Sequence, residues 1–333
     1  MSSRHPLEIA QEILTRYGMM SYLIIGDIGL IFNILYFTQA SQRRNPCSLY
    51  LVASAICRLV TLNVAVIPIL YALDHPNYSN ISLIFCKLQY YFRHAPNQMM
   101  RTFIVLACID RYALCSMRPR MRAMNRFSVA IKLIPVVVIF WLLGACFIPI
   151  FQTIQNGRCG RYDSALILAY TIYNLATSGL FPPISMIVFG ILVIRSLHQI
   201  RARIQPTNGS NTQSVLRKAD RDLIRMSLVE VIIYIITTTP YTIILIYLFA
   251  TRSMTKSNEH KKIESFIAYL AESFLLHLNN ALPFWILLIT LQSFRNEFKT
   301  FLMKRYAKLI GRTVVITGQS MTMSGKAPPQ TGR

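Results

Sequence analysis

Five charged residues stand inside runs that are otherwise largely apolar: Asp27, Arg58, Arg101, Glu230 and Glu272. A guanidinium in mid-bilayer costs about 2.5–3.5 kcal/mol on insertion scales, so each arginine must face protein and find a partner. Arg58 and Arg101 are therefore expected to pair with two of the three acids, and the sequence does not say which. A second group is Asp110-Arg111-Tyr112, at the end of a long apolar run that begins near Cys86. There the guanidinium can pair with its neighbouring carboxylate, or bind a carboxylate or backbone of a partner. Cys86 supplies an oxidisable thiol at the other end of that run. Catalytic constellations do not occur: there is no glycine-rich phosphate loop, no His-Glu-x-x-His and no Cys-x-x-Cys. The 6 histidines lack metal-ligand spacing, and His277 reads as a polar packing residue. No catalytic site, metal or cofactor is expected.

Membrane-spanning helices must position these groups. The chain is 53% apolar and only 14% charged, where soluble domains carry roughly 25% charge. Its net charge of +22 does not indicate nucleic acid, because the charges lie between apolar runs rather than on one soluble face. They point instead to basic cytoplasmic loops near anionic lipid. Seven apolar segments, each roughly 20 residues or more, fall near 18–38, 48–72, 84–113, 129–152, 164–195, 224–250 and 265–290. Polar and proline-containing breaks separate them, such as Gln42-Arg43-Arg44-Asn45-Pro46 and Gln155-Asn156-Gly157-Arg158. Residues 1–16 are polar and the first apolar run is long enough to stay in the membrane, so no secretory signal peptide is expected. With the N-terminus outside, the inner loops and tail carry 23 Lys and Arg against 10 outside. That asymmetry predicts N-out, C-in, in the plasma membrane.

A third membrane helix with an outer Cys86 and an inner Asp110-Arg111-Tyr112, its arginine 25 residues after that Cys, resembles the rhodopsin-like G-protein-coupled receptors. The resemblance covers roughly residues 17–302, with 1–16 as an extracellular N-terminus and 303–333 as a cytoplasmic tail expected to lack regular structure. It implies an all-α bundle of seven transmembrane helices with a short amphipathic eighth helix. Phe294, Phe298 and Leu302, interleaved with Arg295, Lys299, Lys304 and Arg305, match that last helix. It further implies a disulfide from Cys86 to Cys159, the only two cysteines in the outer half of the chain. Signalling would pass through Asp110, Arg111 and Tyr112, with Asp220 as a resting-state latch for Arg111. Asp220 reads equally as part of a solvated charged stretch. Pro240 on the sixth helix, and Asn279 and Pro283 on the seventh, correspond to the family's conformational switch. Asn33 resembles the family's helix-one asparagine.

The chain also departs from the family. Thr238 stands where a tryptophan usually precedes the helix-six proline, and no tyrosine follows Pro283 at the usual place. The helix-two acid that binds sodium is absent, and Arg58 lies at or near its position. Arg93 occupies the site where amine receptors carry an aspartate, and the seventh helix has no lysine for a Schiff base. What remains is a mixed pocket: Arg93, Asn97 and Gln98 from helix three, Glu272 from helix seven, and tyrosines including Tyr241 and Tyr269. Such a pocket suits a short peptide with basic and aromatic side chains. Glu272 would take its cation, unless it pairs internally with Arg93 or Lys87. Among subfamilies the chain looks most like divergent invertebrate receptors for FMRFamide-like neuropeptides. Expected partners are then a peptide-like ligand, a heterotrimeric G protein, membrane lipid and arrestin on the phosphorylated tail. Asn77 and Asn80 head two sequons in one outer loop; a third, at Asn208, would face the cytosol. The competing reading is a seven-helix protein that does not signal, a decoy or scaffold; a transporter or channel is the third.

Overall fold

In the computed structural model, residues 5–40, 42–116, 118–160, 162–203, 218–252, 254–309, 313–317 and 320–324 are described. Side chains are described within these except at 164, 200–203, 218–221, 293, 304 and from 307 onward. The chain divides into two compact units, Met1–Trp285 and Ile286–Arg333.

In the first unit five of the long helices start at a side-chain cap written in the sequence. Helix α1 (Pro6–Phe37) begins where His5 Nδ1 accepts the Leu7 N–H and proline fills the first helical position. It therefore starts well before the apolar run at residue 18. Asn45 Oδ1 accepts the Cys47 N–H at 3.1 Å and starts α2 (Pro46–Tyr71). Ser82 caps α3 (Leu83–Cys115), and Asp163 caps α5 (Ala165–Gln199) after α4 (Phe127–Ile150). Helix α6 (Lys218–Ala250) carries Pro240 within it, and Ser257 caps α7 (Asn258–Ala281). A break at Leu282 separates α7 from α8 (Pro283–Thr290).

Among the described residues, α1, α2, α4, α5 and α6 are long and apolar enough to cross a bilayer, and α7 with α8 forms a sixth, broken span. The seventh is α3. Its 33 residues reach about 50 Å at the α-helical rise, more than a bilayer core of about 30 Å. It fails an apolar test because it carries Lys87, Arg93, Arg101, Asp110 and Arg111. It tolerates these because it is the enclosed helix, touching α2, α4, α5 and α6. The polarity of the bundle is inverted relative to a soluble one. Arg58, Arg101, Arg111, Glu230 and His277 are buried, while Ile24, Ile28, Ile31, Ile139, Phe140 and Leu143 are exposed. An exposed apolar belt around a polar interior is what lipid solvation selects.

Helices α1 and α7 approach closely through small residues. A Cβ at Gly26 would stand 2.7 Å from the Ala281 Cβ and 2.9 Å from a Leu62 methyl. Trp285 Nε1 donates to the Ile25 carbonyl at 2.9 Å on the same seam. In the N-terminal half of α1, Arg16 donates two hydrogen bonds to Asp74 at 2.7 and 3.0 Å, which holds that carboxyl below the usual carboxylate range.

Between α4 and α5, strands β1 (Thr153–Gln155) and β2 (Arg158–Gly160) pair antiparallel. Their two-residue turn is Asn156-Gly157, with φ of 49° and 67°, the mirror-image geometry that hairpins prefer. The sequence read this stretch only as a break. Cys159 on β2 is bonded to Cys86 on α3, with Cα atoms 5.9 Å apart, so the expected bridge is present.

In the second unit, α9 (Gln292–Leu309) is the expected eighth helix, 18 residues long. Phe294, Phe298 and Phe301 form a ring stack with centroids 6.1 Å apart at each step. Phe301, not the expected Leu302, continues the stripe; Leu302 is exposed. Arg305 covers the Phe301 ring at 5.5 Å. Beyond it, β3 (Thr313–Thr317) pairs with β4 (Ser320–Ser324), where the sequence had suggested no regular structure. The run Thr-Val-Val-Ile-Thr is β-branched and suits a strand.

Candidate functional site

Three layers of polar residues line up along α3. The outermost is a cavity of about 440 Å³ between α3, α5, α6 and α7. Arg93, Asn97 and Arg101 recur every four residues on α3, so one helical face presents all three to it. Tyr241 of α6 and Glu272 of α7 line it as expected, as does Tyr90 beneath the Arg93 guanidinium at 5.4 Å.

Two expected lining residues lie elsewhere. Gln98 is buried behind the wall, where its amide donates to Ser178 Oγ at 2.8 Å and its carbonyl accepts from Arg101 at 3.2 Å. Tyr269 faces α1, its hydroxyl 2.6 Å from Thr15 Oγ1, because α7 turns that position toward the α1–α2 core. Three basic residues are among the lining residues that went unforeseen as pocket groups. Arg101 was read as half of an ion pair, His277 as packing, and Arg252 only as an outer charge. The four-residue spacing from Arg93 to Arg101 was the signal for the first. Nothing in the sequence marked His277 as a pocket group.

The middle layer is ionic. Arg58 of α2 pairs with Glu230 of α6, nitrogen to oxygen 3.6 Å, with both side chains buried. One of the expected charge pairs is therefore present. Among the described residues Arg101 pairs with no acid; its guanidinium donates to Ser178 Oγ and Gln98 Oε1. Asp27 accepts from Asn63 Nδ2 at 2.9 Å, a neutral partner, and Glu272 lies in the cavity.

The innermost layer holds Asp110 and Arg111. Arg111 is 1% exposed. Its Nε and one terminal nitrogen donate to the same Asp110 oxygen at 3.2 and 2.5 Å, and that terminal nitrogen also donates to Asn45 Oδ1 at 2.8 Å. Asn125 donates to the other Asp110 oxygen at 2.7 Å. The helix cap at the start of α2 and an asparagine before α4 thus hold the pair closed. Tyr112 packs instead on a small cluster of Cys115, Val193 and Ile224. The Asp220 side chain, and Asn208, lie outside the described residues. Asp222, two positions on, is buried and 3.8 Å from Arg225.

Pro240 borders an apolar recess of about 530 Å³ between α6 and α7. Thr238 is buried beside Tyr234. Asn279 is buried, and Pro283 begins α8. Asn77 Oδ1 caps the one-turn helix Tyr78–Ile81, and Asn80 Oδ1 accepts the Cys159 N–H at 3.0 Å.

The sequence model of the family described as 7 transmembrane receptor (rhodopsin family) matches residues 30–290. No curated protein matches the chain.

Proposed function

This chain belongs to the rhodopsin family of seven-transmembrane receptors, and we propose that it binds a short extracellular peptide and promotes nucleotide exchange on a heterotrimeric G protein. The observation that carries this reading is the double use of α3. Its outer half walls the cavity with Arg93, Asn97 and Arg101, and its inner end holds the buried Arg111. A ligand that shifts α3 against its neighbours acts on both ends of one continuous helix. Arg111 needs only to exchange Asp110 and Asn45 for a partner's backbone to expose a docking surface.

The cavity combines guanidiniums, one carboxylate and tyrosines, which suits a peptide with basic and aromatic side chains. Glu272 takes the ligand's cation and Arg93 a carbonyl or carboxylate. Amino-terminus outside and basic inner loops toward the G protein follow from the Lys and Arg asymmetry. The tail hydroxyls serve arrestin recruitment once phosphorylated, and Pro240, Asn279 and Pro283 flex as the bundle opens. The likeness to receptors for FMRFamide-like neuropeptides supports a short peptide as the ligand's class; it carries no argument for the chemistry of the peptide's C-terminus. Screening pools of short peptides for receptor-dependent exchange tests the proposal. A hit should lose potency at least tenfold in Glu272→Gln, the loss expected for one charge-assisted hydrogen bond of about 1.5–3 kcal/mol. An unchanged potency would remove Glu272 from the ligand site.

Thr238, in place of the family's tryptophan, favours a second reading as a decoy or scaffold. Ligand binding without any receptor-dependent exchange distinguishes it.

A further inference from the structure

We propose that the floor of the outer cavity is an anion site and that the ligand enters with a carboxylate at its inner end. This rests on the receptor reading and names the chemistry of the same cavity. Arg101 is 3% exposed. Its partners, Ser178 Oγ, Gln98 Oε1 and the Tyr234 hydroxyl, are all neutral, and its Nε has none. Among the described residues no carboxylate pairs with it. His277, from α7, lines the same cavity at 1% exposure, and neither ring nitrogen has a hydrogen-bond partner.

Elsewhere in the interior this chain answers charge with charge: Arg58 with Glu230, and Arg111 with Asp110. Arg101 is the exception, and it sits where a ligand can reach it. A buried cation without a counter-charge is costly, and an anion that supplies one is favoured correspondingly. The planar guanidinium presents paired donors that match a carboxylate edge. The imidazole always carries at least one N–H, so His277 adds a second donor type beside it. Around the walls Arg93 and Arg252 add positive charge, and Glu272 is the one acid among the described lining residues. The ligand's anion therefore goes deep and its cation stays near Glu272. A peptide with a free C-terminal carboxylate has this pattern; an amidated end lacks the inner charge.

The test uses the purified full-length receptor in neutral-lipid nanodiscs and two matched probe pairs. One pair is peptide-like, N-acetylphenylalanine and its amide. The other is not, hydrocinnamate and its amide. With all four probes at one common concentration, about ten times the dissociation constant of the tighter acid, that acid should raise Tm by about 3 °C and its amide should not. A larger shift for the peptide-like acid identifies a peptide C-terminus as the source of the carboxylate; equal shifts identify a simple carboxylic acid. Arg101→Gln should abolish the acid's effect while leaving the unliganded Tm equal or higher, since it removes an unpaired buried charge. Arg101→Lys, which keeps the charge, should retain part of the shift. Equal shifts for acid and amide, no shift with either, or full protection of Arg101→Gln would overturn the proposal. Because no G protein takes part, this binding can fail while exchange holds, and hold while exchange fails.

Discussion

Arg58 and Glu230 sit 3.6 Å apart in the middle of the bundle, one on α2 and one on α6. Removing either leaves the other as a buried charge, which costs about 3–5 kcal/mol, whereas replacing both with apolar residues is close to neutral or stabilising. Arg58→Met and Glu230→Leu should each sharply lower surface expression and Tm, and the double substitution should recover most of both. A double variant no better than the worse single would show that the pair is not coupled. At the inner end, Asn125 and Asn45 hold Asp110 and Arg111 from opposite sides. Asn125→Ala should therefore raise basal nucleotide exchange several-fold, read on membranes at matched receptor levels; unchanged basal exchange would remove that contact from the resting latch. The need for Arg58 to pair was legible, because an arginine in an apolar run has no other way to be tolerated. Its partner was not, since helix rotation decides which acid faces it. Arg101 was misread for a related reason. Its partners Ser178 and Gln98 are neutral, and such residues carry no mark in a sequence.

At the scale of elements, caps and turns were the most readable features. Asn45-Pro46 and Asn156-Gly157 stood out as breaks, and the structure turns one into a helix start and the other into a hairpin. Residues 84–113 were read as an apolar run with marked ends; the ends hold, and among the described spans α3 is the one that is not apolar enough by itself. The α1–α7 seam was not foreseen, because close approach depends on which way Gly26 points. A Cβ there meets Ala281 at 2.7 Å, so Gly26→Val should cost about 1–3 kcal/mol by overpacking. Gly190→Ala is the control: its Cβ meets Leu228 at an ordinary 3.5 Å. The two should separate clearly in Tm, the first lowered by several degrees and the second unmoved. Equal Tm values would mean the seam yields freely.

For the whole molecule, six spans followed from apolar length, α3 from its marked ends, and the disulfide from the family resemblance carried by Cys86 and Cys159. The orientation rests on 23 basic residues on one side against 10 on the other. It predicts that glycan is added at Asn77 or Asn80 and never at Asn208. Loss of an endoglycosidase-sensitive mass in the double Asn77→Gln, Asn80→Gln variant would agree, and a glycan that requires Asn208 would reverse the topology. The account's central claim is that α3 couples the cavity to a G protein through Arg111. Its most direct test is nucleotide exchange in cell membranes for wild type and Arg111→Ala at matched surface levels, with and without pools of short peptides. Exchange that rises in wild type, basally or with peptide, and falls in the variant is the predicted result. Exchange that is flat in both across several G-protein classes, or equal in both, would contradict it.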